Sequence, residues 1–104
     1  MVIAQLSISP IGVGVSLHRY VREVIRVLEE NNIRFQVNDM STVVEVEDLD
    51  TLFRVVKEAH EAVIDMGAAR VITELKIDDR RDKKVHLGDK SRVVQGKAMS
   101  FSKE

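Results

Sequence analysis

The sequence predicts an α+β sandwich with elements in the order β-α-β-β-α-β, built as a single domain over residues 1–104. Three observations predict it. Four segments carry apolar residues at alternate positions, two carry them at helical spacing, and turn-forming residues fall between them. The first strand covers Val2 to Ser9, with Val2, Ala4, Leu6 and Ile8 on an apolar face and Ile3, Gln5, Ser7 and Ser9 on a mostly polar one. Pro10, Gly12 and Gly14, clustered in PIGVG, end it. Ser16 is placed to cap a helix in which Leu17, Tyr20, Val21, Val24, Ile25 and Leu28 form one stripe. Glu29 to Asn32 let that helix fray into a turn. A second strand, Ile33 to Asn38, sets Phe35 and Val37 opposite Arg34, Gln36 and Asn38. A turn through Asp39, Met40 and Ser41 leads into the third strand, Thr42 to Glu47. Asp48 or Asp50 can cap the second helix, whose stripe is Leu52, Val55, Val56, Ala59, Val63 and Met66, and Gly67 stops it. In the fourth strand Val71, Thr73, Leu75 and Ile77 share one face, and Ile72, Glu74, Lys76 and Asp78 the other.

Two right-handed βα units joined by a hairpin close into a ferredoxin-like βαββαβ sandwich. Its antiparallel sheet has strand order 4-1-3-2, with both helices on one face. That helical layer is expected over Leu6, Val37, Val44 and Leu75. The charged stretch DDRRDKK reads as a solvated loop or an oligomer contact. Ser91 to Gln95, with Val93 and Val94, reads as an extra C-terminal edge strand laid on a sheet edge of this or another subunit. The final AMSFSKE is expected to be loose.

Composition narrows the function. The chain has 44% hydrophobic and 32% charged residues, an ordinary balance for a soluble protein. A net charge of −1 gives no electrostatic case for a nucleic-acid or acidic-membrane partner. The absence of Cys removes disulfides, thiolate metal sites and cysteine nucleophiles together. No apolar run approaches the roughly 20 residues of a membrane span. The N-terminus lacks the basic start and cleavage site of a signal peptide, so a cytoplasmic location is expected. His18, His60 and His86 fall in different elements without the i, i+4 pairing of a helical metal site, and no metal is expected. Phe35, Phe53, Phe101 and Tyr20 offer no platform for stacked bases. Gly12-x-Gly14 lacks the third Gly and the Lys of a nucleotide loop, and reads as a tight turn before it reads as an anion nest. No nucleophile and base stand at usable spacing, so no catalytic residue is assigned and no enzyme is expected.

The remaining anomaly is Glu45, a charge among Val43, Val44 and Val46. Burying it is unfavourable unless it is solvated, paired or used. On the face away from the helices it is either a solvated carboxylate, cross-strand paired with Lys76 or Arg34, or a ligand acceptor. Gln5 and Ser7 are expected beside it, offering an amide and a hydroxyl to a ligand with amino groups or ring nitrogens.

The stretches SISPIGVGVSLHRYV, MSTVVEVEDLDTLFRVVKEAHEA and RVITELKIDDRRDK, in that order, resemble the small thiamine-binding protein family, the YkoF-like group long uncharacterised. The resemblance runs from Ile3 to about Val94. It implies the ferredoxin-like fold, self-association as dimers or tetramers, and no cofactor beyond a ligand, thiamine or its hydroxymethylpyrimidine half, bound without catalysis. Carried over by residue, it implies Thr42 and Glu45 as ligand contacts, Met40 as the Met preceding them and Ser7 as the polar position of the first strand. The family often has Gly between Met and Thr and again after Glu, where this chain has Ser41 and Val46. Ser41 would lose a backbone conformation with φ > 0, whereas Val46 falls away from the open face. The rival reading is an oligomeric scaffold whose polar face serves self-assembly alone. An enzyme acting on a small amine-bearing substrate stands behind both.

Overall fold

Apolar alternation decides which side of each strand turns inward. In the computed structural model, which describes residues 1–89, β1 (Val2–Ile11) buries Val2, Ala4 and Leu6 and leaves Gln5 exposed. It is followed by α1 (His18–Glu30), β2 (Arg34–Val37), β3 (Thr42–Val46), α2 (Leu49–Asp65) and β4 (Arg70–Asp79), the predicted order. The antiparallel sheet runs β2-β3-β1-β4, which is 4-1-3-2 read from the other edge. β1 and β3 are central, as their apolar faces require.

Boundaries depart from the sequence reading where a neighbouring strand sets them. β1 continues past Ser9 because β4 is long enough to pair with it, Pro10 against Val71 and Ile11 against Arg70. Its pairing with β3 stops at Leu6 opposite Thr42, so among the described residues the outer half of β1 is flanked by β4 alone. A strand lined on one side tolerates a residue without an N–H, which accounts for Pro10 within it. Ser16 does not cap α1. The N-cap position is Leu17, without a side-chain bond, and the Ser16 hydroxyl lies 2.8 Å from His18 Nδ1 instead. Of the two candidates at α2, Asp48 is the cap, its carboxylate accepting the Thr51 N–H at 2.7 Å. Gly67 follows the C-cap Met66 with φ 105°, a left-handed turn that ends the helix at little steric cost.

The core lies between sheet and helices. Leu6, Leu28, Leu52, Val27, Val44 and Val63 are fully buried, each stabilising the fold by about 1.5–3 kcal/mol of transfer free energy. Val37, expected beneath the helices with Leu6 and Val44, is 46% exposed. It closes a four-residue edge strand with no strand on its outer side among the described residues. After Asp79 the chain turns back over the open face of the sheet, where the Leu87 amide reaches Glu45. The segments Ser91–Gln95 and 98–104 lie outside the described residues.

Candidate ligand-binding site

Strand register fixes the neighbours on the open face. One row across the sheet reads Arg34, Glu45, Ile3 and Asp78, and the next reads Gln36, Val43, Gln5 and Lys76. Ile3, not Ser7, therefore stands opposite Glu45. Ser7 lies four residues further along β1, about 13 Å away at strand rise, opposite Glu74. Lys76 is separated from β3 by β1 and cannot be the cross-strand partner of Glu45.

Glu45 is engaged within its own chain. Its side chain is 10% exposed. One carboxylate oxygen accepts the Leu87 N–H at 2.6 Å, and His86 Nδ1 lies 3.4 Å from the same oxygen. Asp89 in turn accepts the His86 N–H at 2.7 Å and returns its own N–H to the His86 carbonyl at 3.0 Å, closing a tight turn. A charge-assisted bond to a backbone amide offsets the burial of this carboxylate. Between the returning segment and the sheet lies a cavity of about 600 Å³, with Ile3, Gln36 and Val43 below and Val85, His86 and Leu87 above. The charges of DDRRDKK nearly cancel, three Asp against four basic residues. Arg80 pairs with Asp82 at 2.7 Å and Arg81 with Asp79 at 2.8 Å. The hydrogen bonds from these guanidinium groups hold the Asp82 carboxyl down at about 2 and Asp79 below the usual carboxylate range.

Thr42 belongs to the other face. Three places along a strand reverse the side, so Thr42 shares the helix side with Leu6 and Val44 and is buried there. It opens, with Ser7 and Met40, onto a separate cleft of about 250 Å³ at the hairpin end of the sheet. The wall opposite comes from the first turns of α1, through Tyr20, Val21 and Val24. The Tyr20 hydroxyl accepts from Arg19 at 3.3 Å. Because β3 begins only at Thr42, the edge of β1 around Ser7 to Ser9 that faces away from β4 has no strand beside it among the described residues. Alternate backbone N–H and C=O groups along that edge are directed into the gap. Asn38 and Asp39 add an amide and a carboxylate from the hairpin turn, which is closed by the Asn38 N–H on the Ser41 carbonyl at 2.8 Å. Met40 stands at the rim, 90% exposed.

Three of the four candidate residues thus line one cleft, Ser7 from the edge of β1, since strand parity gives it the face of Glu45 and not that of Thr42, and Glu45 lies apart from the cleft on the open face. Asp39 and Tyr20 are additions that the sequence reading did not make. Their signal is a matter of lengths: five residues of β3 against ten of β1 leave a gap that a turn and a helix must close. The two departures from the family pattern are accommodated. Ser41 needs no left-handed backbone, since Asn32 is the non-glycine residue with positive φ among those described, and Val46 is buried beneath the helices. Chemically the cleft offers a hydroxyl, an amide, a carboxylate and, among the described residues, unpaired backbone groups on the edge of β1 beside an apolar wall, a donor and acceptor set for a small heteroaromatic ring.

A family model described as thiamine-binding protein matches the chain over residues 4–95. The chain belongs to the thiamine-binding protein family. Within this family, the UPF0045 protein of Methanothermobacter thermautotrophicus is 45% identical over 98 residues, 93% of this chain and 99% of that one. The UPF0045 protein YqgV of Bacillus subtilis is 43% identical over 99 residues, 90% of this chain and 94% of its own length. A crystal structure of a hypothetical protein from Methanocaldococcus jannaschii superposes with a TM-score of 0.81 at 38% identity, covering 89% of this chain and 94% of that one. Family and fold are therefore those implied by the stretches SISPIGVGVSLHRYV, MSTVVEVEDLDTLFRVVKEAHEA and RVITELKIDDRRDK. Among the described residues no helix is long and apolar enough to cross a membrane.

Proposed function

We propose that this protein binds thiamine or its hydroxymethylpyrimidine half, without catalysis, in the cleft lined by Ser7, Met40 and Thr42. The observation that carries the reading is the meeting of these three residues in one cleft of a chain from the thiamine-binding family. The Thr42 hydroxyl and the edge of β1 answer the ring nitrogens and exocyclic amine of an aminopyrimidine. The Met40 thioether packs on a ring face. Asp39, at the mouth, attracts the cationic thiazolium of intact thiamine. Glu45 acts from the other face, by holding the segment 80–89 in place. The protein works in the cytoplasm as a self-associating carrier or sensor, a dimer or tetramer.

Calorimetric titration of ligand-stripped protein with thiamine and with hydroxymethylpyrimidine tests this. Saturable heat at one site per chain is expected, and Thr42→Val, which keeps shape and removes the hydroxyl, weakens binding roughly tenfold. Flat traces with both ligands overturn the reading in favour of the scaffold without a ligand. Full affinity in Thr42→Val moves the ligand out of the cleft, and its loss in Glu45→Gln then moves it beneath the returning segment.

A further inference from the structure

We propose that the cleft takes its ligand as a phosphate ester, with the phosphate held at the first turn of α1 by backbone N–H groups and the Arg19 guanidinium. This rests on the reading above and names the ligand class within it, a phosphate ester of thiamine or of hydroxymethylpyrimidine. Two independent observations meet in the cleft. The first is Thr42, which lines it, is 7% exposed, and has no side-chain hydrogen-bond partner among the described residues. Buried hydroxyls are ordinarily partnered, so this one is available to a molecule that enters. The second is the end of α1 on the opposite wall, whose N-cap Leu17 lines the same cleft. The Leu17 carbonyl accepts the Tyr20 and Val21 N–H groups at 3.0 and 3.1 Å. The His18 and Arg19 N–H groups have no acceptor among the described residues. No side chain caps them, and the first turn holds no acidic residue.

Charge on α1 runs against the helix's own dipole. The N-terminal end of a helix favours anions and disfavours cations, yet Arg19 and Arg22 stand there one turn apart. Neither has a carboxylate partner among the described residues, whereas Arg26, a turn further on, is paired with both Glu23 and Glu30. Arg19 keeps its guanidinium at the cleft by donating to the Tyr20 hydroxyl. An anion over the turn relieves the conflict. It accepts from the orphan N–H groups, answers the dipole and neutralises the guanidinium. A phosphate monoester, with about two negative charges and three terminal oxygens, has an acceptor for each. Space is open ahead of the helix, where among the described residues a Cβ on Gly12 or Gly14 would meet nothing within 4 Å. The hairpin wall carries the opposite sign through Asp39. A ligand with a cationic ring at one end and a phosphate at the other therefore meets a complementary charge at both.

Calorimetric titration of the full-length chain with thiamine, thiamine monophosphate and inorganic phosphate tests the inference. Thiamine monophosphate is expected to bind about tenfold or more tighter than thiamine, and inorganic phosphate far more weakly than the monophosphate. In Arg19→Gln, which removes the charge, the ratio of the two thiamine affinities falls to about threefold or less. Leu17→Asp sets a carboxylate against the same N–H groups. It is expected to abolish the preference for the monophosphate while raising the thermal midpoint, since it supplies the missing negative charge. A preference that survives both substitutions places the phosphate elsewhere and overturns the inference. So does inorganic phosphate binding as tightly as the monophosphate, because the turn would then serve an anion unrelated to the cleft. Equal affinity for thiamine and its monophosphate in wild type also overturns it, and leaves the reading of the cleft standing. Flat traces with both overturn the two together.

Discussion

A carboxylate in the middle of a strand is unfavourable to bury, and Glu45 resolves that conflict with a backbone amide 42 positions along the chain. Glu45→Ala is expected to release the segment 80–89. Amide hydrogen exchange at residues 85–89 then rises roughly tenfold or more, while the global melting temperature changes little. Glu45→Gln keeps an acceptor oxygen and loses the charge, so its effect is smaller. Unchanged exchange in both variants would show that the Leu87 contact does not hold the segment. The sequence made Glu45 conspicuous but not its partner, because a backbone N–H has no side-chain signature. Thr42 teaches the complementary point. Alternation alone places Thr42 and Glu45 on opposite faces, yet the family motif groups them by spacing along the chain. Motif spacing and strand parity answer different questions, and parity governs which side chains can meet.

The two helices differ in how their first turns are satisfied. α2 begins with the Asp48 cap and has Asp50 in its first turn, whereas α1 has neither a side-chain cap nor an acidic residue there. The Thr51 N–H holds the Asp48 carboxyl below its usual range. A carboxyl depressed in the folded chain contributes stability above its unfolded value, near 4, and the contribution is lost as pH falls through the lowered folded value. Asp48→Ala is therefore expected to lower the thermal midpoint by about 5 °C near neutral pH. The difference from wild type should shrink on acidification below about pH 4. A constant difference across that range in paired melts would count against the cap. Both helices were legible because a stripe repeating every three or four residues needs no information from elsewhere. Strand ends were less so. β1 extends to Ile11 only because β4 runs alongside as far as Arg70, and that partner is remote in sequence.

At the scale of the whole molecule, the Thr42 cleft and the Leu87 cavity lie on opposite sides of the sheet. The first opens on the helix side and the second on the open face. Truncating the apolar layer between sheet and helices should register globally. Leu28→Ala is expected to cost about 2–5 kcal/mol in urea unfolding, against less than about 0.5 kcal/mol for Phe53→Ala at the surface. Equal losses would mean that the buried layer is not what holds the fold. The layered architecture was readable from alternation, while the division into two recesses depended on where β3 stops and where the chain goes after Asp79. The cleft has a further property, set by its wall. The chain has one tyrosine and no tryptophan, and that tyrosine, Tyr20, is buried at the cleft with the Arg19 guanidinium 5.3 Å from its ring centre. Tyrosine emission from this protein therefore originates in a single ring, at the wall of the cleft proposed for the ligand, and the native chain carries its own optical test of that proposal.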